Sequence, residues 1–121
     1  MPGIITHTFA GIIVSVIGRV YYKDFLDYKY KKQLIFIITC LTFSVLPDVF
    51  LGIYYTTHIL DFNVLANYHR ITHMLFPIVA IIFLILARSD KKRQPYWAIA
   101  LTAIIVHLIM DLLIIETGPF F

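Results

Sequence analysis

The chain has 121 residues, of which 60% are hydrophobic and only 14% are charged, and its mean hydropathy is +0.86. This composition lies well outside the range of soluble domains and predicts a membrane protein. The single cysteine, Cys40, excludes both a disulfide framework and a cysteine-based zinc site within one chain.

Four apolar stretches follow one another along the chain, and each approaches the length that crosses a bilayer. A helix needs about 20 residues to span ~30 Å of hydrocarbon, where lipid cannot satisfy an open backbone. No basic residue precedes the first stretch, so we expect it to be retained rather than cleaved as a signal peptide. The sequence predicts a single all-α domain, residues 1–121, that forms an integral membrane bundle of four transmembrane helices. The predicted spans are 4–22, 33–55, 71–87 and 95–115.

Basic residues gather at the first and third connections between these spans. Of the ten Lys and Arg residues, all but Arg70 flank those two connections. The nine are Arg19, Lys23, Lys29, Lys31, Lys32, Arg88, Lys91, Lys92 and Arg93. The positive-inside rule therefore predicts that these connections lie in the cytoplasm, with both termini and the loop 56–68 outside. The net charge of +3 then reflects topology, and the expected partner is membrane lipid rather than nucleic acid.

Ionisable residues within or beside the predicted spans fall toward the outer face of the membrane. They are His7, Asp48, His69, His73, His107 and Asp111. A charged side chain in hydrocarbon costs from about 2.5 kcal/mol upward, so each of these residues is a functional-site candidate. Because all six share one depth, they call for a common explanation.

Helical spacing indicates that these side chains meet. His69 and His73 are four residues apart, as are His107 and Asp111, so each pair projects from one helix face and can chelate an ion. Each candidate also lies on a stripe of small residues, and such stripes mark where membrane helices approach closely. The stripes are His7–Gly11–Ser15, Cys40–Ser44–Asp48, His73–Pro77–Ala80 and Ala100–Ala103–His107–Asp111. The pattern predicts a metal site inside the bundle.

Simpler explanations exist for single residues. An intramembrane histidine often serves only as a hydrogen-bonded packing residue, and Asp48 after Pro47 can cap or kink a helix. Arg70 can be an interfacial anchor. His58 and Asp61 in the outer loop are explained by solvation, so we leave both out of the predicted site.

The spaced motifs resemble the YdjM-like family of inner-membrane metal-dependent hydrolases, some of them LexA-regulated. The resemblance rests on His7, Leu46-Pro47-Asp48, His69-Arg70-Ile71-Thr72-His73, His107-Leu108-Ile109-Met110-Asp111 and Thr117-Gly118. More loosely, the pattern is similar to that of zinc-dependent phospholipases C. The resemblance implies metal-ligand roles for the six histidines and aspartates. Two positions depart from the family pattern: Phe50 stands where a second acid is common, and Ile71 stands where glycine is usual.

These observations lead to a metal-dependent hydrolase as the first hypothesis. A divalent ion, zinc or a similar metal, would activate water to attack an ester or phosphoester of a lipid-like substrate. Asp48 or Asp111 would serve as ligand or general base, and Arg70 would pair with a phosphate or developing oxyanion. The alternative is a small transporter or ion-permeation protein whose His/Asp layer binds a cation or relays protons. A structural membrane subunit with a degenerate site is the third hypothesis.

Overall fold

The structure is a computed structural model that describes residues 3–59 and 61–113. Within these residues the chain is helical apart from short turns, and it contains no strand. The elements are α1 (Ile4–Tyr21), α2 (Lys23–Leu26), α3 (Tyr30–Val45), the 3₁₀ turn Leu46–Asp48, α4 (Val49–Thr57), α5 (Phe62–Ser89) and α6 (Gln94–Leu113). The predicted all-α class is therefore confirmed.

Three of these helices, α1, α5 and α6, are long and apolar enough to cross a membrane, with 18, 28 and 20 residues respectively. Much of their apolar surface faces outward. On α5, for example, Ile78, Ile81 and Ile85 remain exposed. Large exposed apolar side chains are unfavourable in water and natural in lipid, so the helices support a membrane protein.

The predicted second span, 33–55, is not one continuous helix, so helix length does not confirm it as a span. The segment ends as α3 at Val45, passes through the 3₁₀ turn, and resumes as α4 at Val49. Pro47 explains the break, because proline has no backbone N–H to donate and its ring clashes with the preceding helical turn. The parts, of 16 and 9 residues, are each shorter than the length required of a span. Four spanning helices are thus not established by helix length.

The third span begins earlier than predicted. Helix α5 starts at Phe62, and the Asp61 carboxylate caps it by accepting the Asn63 N–H at 2.8 Å. The predicted loop 56–68 is therefore largely helical, with only residues 58–61 between α4 and α5. Helix α6 ends at Leu113 among the described residues, so the predicted end of the fourth span at 115, and Thr117-Gly118, lie outside them.

Small residues allow α1 to pack closely on α3, as the stripes predict. The buried residues of α1 are His7, Gly11, Ser15 and Gly18, spaced by three or four. A Cβ atom added to Gly11 would lie only 2.9 Å from the Ser44 Cβ, so a larger residue would push the two helices apart. Helix α6 packs against α1, α3 and α5 and completes the bundle.

The stripe predicted on α5 is wrong in part. Pro77 is exposed, whereas His69 and Phe76, seven residues apart, mark the buried face. Seven residues make about two helical turns, so His69 and Phe76 lie on the same face of the helix. Pro77 follows Phe76 and projects about 100° away from that face. His73 lies at the edge of the face and is partly exposed.

The two ends of the bundle differ in character. Near the basic connections an apolar core forms, and the Phe25 ring meets the Tyr96 ring edge-on at 5.2 Å. This contact places the first and third connections at the same end, as the charge pattern requires. Residues of this core are Leu26, Phe36, Cys40, Ile99 and Ala103. The predicted His/Asp residues lie at the opposite end.

Candidate metal centre

The structure brings all six predicted histidine and aspartate residues together at one end of the bundle. They are His7 of α1, Asp48 of the 3₁₀ turn, His69 and His73 of α5, and His107 and Asp111 of α6. We call these six residues the His/Asp centre. Four separate segments contribute to it, and its side chains are buried or nearly so.

Asp111 lies among three imidazoles. Its Oδ1 is 3.1 Å from His7 Nε2, and its Oδ2 is 2.7 Å from His73 Nε2 and 3.1 Å from His107 Nε2. Three helices therefore present a ring nitrogen to this one carboxylate. The His7 ring also stacks on the His107 ring, with centroids 3.8 Å apart, which fixes both rings in place.

Asp48 lies beside the same imidazoles but is bonded differently. Its Oδ2 is 3.2 Å from His7 Nε2, and its Oδ1 is 3.5 Å from His69 Nδ1. The residue is 4% exposed, yet neither carboxylate oxygen accepts a hydrogen bond from the part of the chain that the structure describes. Burying a carboxylate without hydrogen bonds lowers the stability of the fold by about 1–3 kcal/mol or more, unless a cation compensates its charge. Asp48 is therefore suited to hold a cation.

Backbone carbonyls fix the orientation of two of the imidazoles. His107 Nδ1 donates to the Ser44 carbonyl at 2.7 Å, and His73 Nδ1 donates to the His69 carbonyl at 3.0 Å. A carbonyl only accepts, so the hydrogen of each neutral ring lies on Nδ1 and the Nε2 lone pair faces the centre. This outer hydrogen bond is the arrangement found at metal-binding histidines.

The convergence of the Nε2 atoms has an electrostatic consequence. His73 Nε2 and His107 Nε2 lie 3.3 Å apart, and both face Asp111. Only one hydrogen fits between two nitrogens at this distance, so at most one of the two rings can donate a hydrogen bond to the other. Lone pairs and carboxylate oxygens that converge in a buried space repel one another, and a positive ion among them removes that repulsion.

Two overlapping groups in the centre bring ligand atoms close enough together to share a metal ion. One is His7, Asp48, His107 and Asp111, and the other is Asp48, His69 and His73. Within each group the ligand atoms lie within 4.8 Å of one another. Imidazole nitrogen and carboxylate oxygen are ligands that zinc accepts, so the donor set fits a divalent metal ion. The buried His/Asp centre can therefore hold a metal.

Other residues considered from sequence lie outside the centre. Arg70 is exposed and donates from Nη2 to Asn67 Oδ1 at 2.7 Å. His58 ends α4 in a left-handed conformation, and Asp61 caps α5. These local roles agree with leaving His58 and Asp61 out of the predicted site.

Phe50 also lies away from the centre. Its ring stacks on Tyr68, with centroids 5.4 Å apart and 26° between the ring planes. Residues two apart on a helix do not share a face, so the side chain at position 50 diverges from that of Asp48. The departure from the family pattern at Phe50 thus leaves the six-residue set intact.

Thr72 and the Ser44 carbonyl contribute to the centre without having been predicted. Thr72 Oγ1 lies 3.0 Å from the Pro47 carbonyl and 2.6 Å from the His69 carbonyl, so this side chain links the 3₁₀ turn to α5. The position of Thr72 between two histidines in the HRxTH segment is the sequence feature that could have identified it as part of the centre. The role of Ser44 is a backbone contact, which residue type does not encode.

Fold and site together define an α-helical bundle of membrane-protein character with a buried His/Asp centre at one end. Comparisons with known protein families, with curated proteins and with solved structures find no match to this chain.

Proposed function

We propose that this chain is a membrane-bound, metal-dependent hydrolase that cleaves an ester or phosphoester of a lipid-like substrate. The observation that carries the proposal is Asp48, a buried carboxylate that accepts no hydrogen bond from described residues and lies among histidine nitrogens. The proposed ligands are His7, Asp48, His69, His73, His107 and Asp111. The resemblance to the YdjM-like family points to the same activity.

The chemistry follows from the donor set. A divalent ion such as zinc, when bound, acidifies water and polarises a carbonyl or phosphoryl oxygen. Asp48 and Asp111 are the carboxylates that can take a proton from water, since both lie among the ligands. Arg70 is three residues before His73, and we propose that it leaves Asn67 to pair with an anionic group of the substrate.

The centre is most open on its α5 side, which suggests how a substrate enters. His73 retains 16% of its side-chain exposure, more than any other member of the centre. The residues that follow His73 and Asp111 in sequence, Met74 and Leu112, are exposed and apolar. The helices that carry the centre thus expose apolar side chains, so a substrate that reaches the centre along them would carry apolar chains, as a lipid does.

We propose that the chain crosses the cytoplasmic membrane four times, with both termini outside. The second crossing is residues 30–57, in which α3 and α4 are joined through the 3₁₀ turn. Broken helices are tolerated in a bilayer where protein surrounds the break, and here Pro47 and Asp48 are buried. The basic residues at the opposite end of the bundle favour a cytoplasmic position for that end.

Transport is the competing function, and the packing disfavours it. A pathway needs polar residues on both sides of the membrane midplane. At the basic end, Leu26, Phe36 and Ile99 are buried in an apolar core. A centre at one end above an apolar core suits chemistry at the membrane surface better than passage through it.

The test is hydrolysis by the purified protein in detergent or nanodiscs, with chromogenic phosphoesters, carboxylic esters and labelled phospholipids as substrates. We expect activity that a chelator removes and Zn²⁺ restores. We also expect a loss of about 100-fold or more in Asp48→Asn, the size of a general-base contribution. His58→Ala, a histidine outside the centre, is the matched control and should retain activity. Hydrolysis that survives chelation, or tolerance of substitution at all six positions, contradicts the proposal. Cation flux in liposomes that requires the same histidines would instead favour transport.

A further inference from the structure

The number of candidate ligands exceeds what one zinc ion uses. Protein zinc sites are almost always four-coordinate, and catalytic ones take three protein ligands and leave one position open. The His/Asp centre offers six residues. They divide into a group of four and a group of three that share only Asp48.

The two oxygens of Asp48 face different members of these groups. Oδ2 is 3.2 Å from His7 Nε2, and Oδ1 is 3.5 Å from His69 Nδ1. Neither oxygen accepts a hydrogen bond from the described residues, and the residue is 4% exposed. Oδ1 also lies 3.7 Å from His73 Nε2 and 3.8 Å from His107 Nε2, so Asp48 contacts both ligand groups. A carboxylate in this position can be shared by two metal ions, which in enzymes lie about 3.5–4 Å apart.

We propose that the centre holds two divalent cations and that Asp48 is their shared ligand. This inference rests on the metal site of the proposed function and adds its nuclearity and a division of roles. The first ion is held by His7, His107, Asp111 and Asp48. The second ion is held by His69, His73 and Asp48.

The two sites differ in how many protein ligands they have. Four protein ligands close a tetrahedral site, whereas three leave a position for water or substrate. The second site includes His69 and His73, whose side chains are 10% and 16% exposed, whereas those of His7 and His107 in the first site are 1% and 0% exposed. The second ion is therefore the one that meets the substrate, and the first holds the helices together.

The test begins with metal content. The purified wild type is stripped with a chelator, loaded with Zn²⁺ and freed of excess, and zinc per chain is measured by mass spectrometry against quantitative amino-acid analysis. We expect two zinc ions per chain in the wild type and one in His69→Gln. His58→Gln, a matched histidine substitution outside the centre, should keep two. One zinc per chain in the wild type overturns the inference.

Adjacency of the two ions is measured with Mn²⁺ by electron paramagnetic resonance. Two Mn²⁺ ions that share the Asp48 carboxylate give an exchange-coupled spectrum in the wild type, and His69→Gln should give the spectrum of an isolated ion. Two uncoupled ions overturn the shared ligand. The wild-type stoichiometry and coupling decide the question even if His69→Gln fails to fold, which circular dichroism reports.

The outcomes separate this inference from the proposed function. A wild type with one zinc ion and metal-dependent hydrolysis overturns the two-ion centre and leaves the hydrolase standing. Two coupled ions without hydrolysis of any tested substrate support the two-ion centre and count against the hydrolase. A protein that retains no Zn²⁺ after loading overturns both.

Discussion

Asp48 and Asp111 belong to the same buried centre, but their surroundings differ. Without a metal, Asp111 accepts hydrogen bonds from His7 Nε2 at 3.1 Å and from His73 Nε2 at 2.7 Å when these nitrogens carry a hydrogen. Asp48 has no hydrogen bond among the described residues. Asp111 therefore holds imidazoles in position without a metal, whereas Asp48 accepts no hydrogen bond from the described residues and gains more from a bound cation.

This difference predicts opposite effects on the stability of the metal-free protein. Asp111→Asn removes the anion that organises His7 and His73, so the free energy of unfolding should fall by about 1–3 kcal/mol. Asp48→Asn removes, at nearly constant shape, a buried charge that accepts no hydrogen bond from the described residues, so stability should stay the same or rise. Denaturant unfolding in detergent with excess chelator measures both. A larger loss in Asp48→Asn than in Asp111→Asn would contradict this description of the centre.

At this scale the sequence predicted much of the site. Position within the predicted spans and four-residue spacing were enough to select His69, His73, His107 and Asp111. A charged side chain in lipid costs much free energy, and helix geometry is regular enough to show which side chains share a face. Backbone partners were not predictable, since the Ser44 carbonyl that orients His107 depends on how α3 meets α6.

Among the elements, the 3₁₀ turn Leu46–Asp48 sets the position of Asp48. Three residues in 3₁₀ geometry turn about 60° further around the axis than three α-helical residues do. The turn is held by Thr72, whose hydroxyl donates to the Pro47 carbonyl or to that of His69. Asp48 therefore reaches the centre because the helix is interrupted at this point.

Restoring a regular helix should weaken the site. Pro47→Ala supplies the missing N–H and removes the ring clash, so α3 and α4 can join and rotate Asp48 away from His7 and His69. We expect zinc affinity to fall by about 10–100-fold, a loss typical of changes to the groups that orient metal ligands. Zinc titration with a competing chelator measures it. Pro77→Ala, at an exposed position on α5, is the matched control, and equal affinities in the two variants would show that the interruption does not matter.

Element boundaries were predicted unevenly. Helix α1 matches the expected span to within one residue, because an uninterrupted apolar stretch of bilayer length leaves few alternatives. The start of α5 at Phe62 was missed, because Asn63 and Asn67 lower the hydropathy of this segment and exclude it from a predicted span. The same residues are compatible with the first turns of a capped helix. The break at Pro47 entered only as an alternative role for Asp48, and the predicted span ran through it because the apolar composition continues across it.

The molecule as a whole separates two environments. One end has basic connections above an apolar core, and the other has the His/Asp centre. This polarity was predictable from the distribution of charge alone, whereas the number of crossings was not, since helix length identifies three spans and the broken segment 30–57 is ambiguous.

Labelling of single cysteines tests whether residues 30–57 cross the membrane. In a Cys40→Ala background, Tyr28→Cys, His58→Cys and Lys92→Cys place thiols in the three connections. With a membrane-impermeant maleimide on intact cells, we expect only His58→Cys to react, because the positive-inside rule places the other two in the cytoplasm. All three should react after permeabilisation. Equal reactivity of Tyr28→Cys and His58→Cys in intact cells would mean that the broken segment does not cross.

X-ray absorption spectroscopy of the zinc-loaded wild type shows directly whether the His/Asp centre holds the metal. We expect nitrogen and oxygen ligands only, at about 2.0–2.1 Å, with the outer-shell scattering of several imidazoles. Sulfur should be absent, because Cys40 Sγ is directed to the Gly11 carbonyl within the core. A first shell of oxygen atoms without imidazole scattering would show zinc bound elsewhere and would contradict the claim.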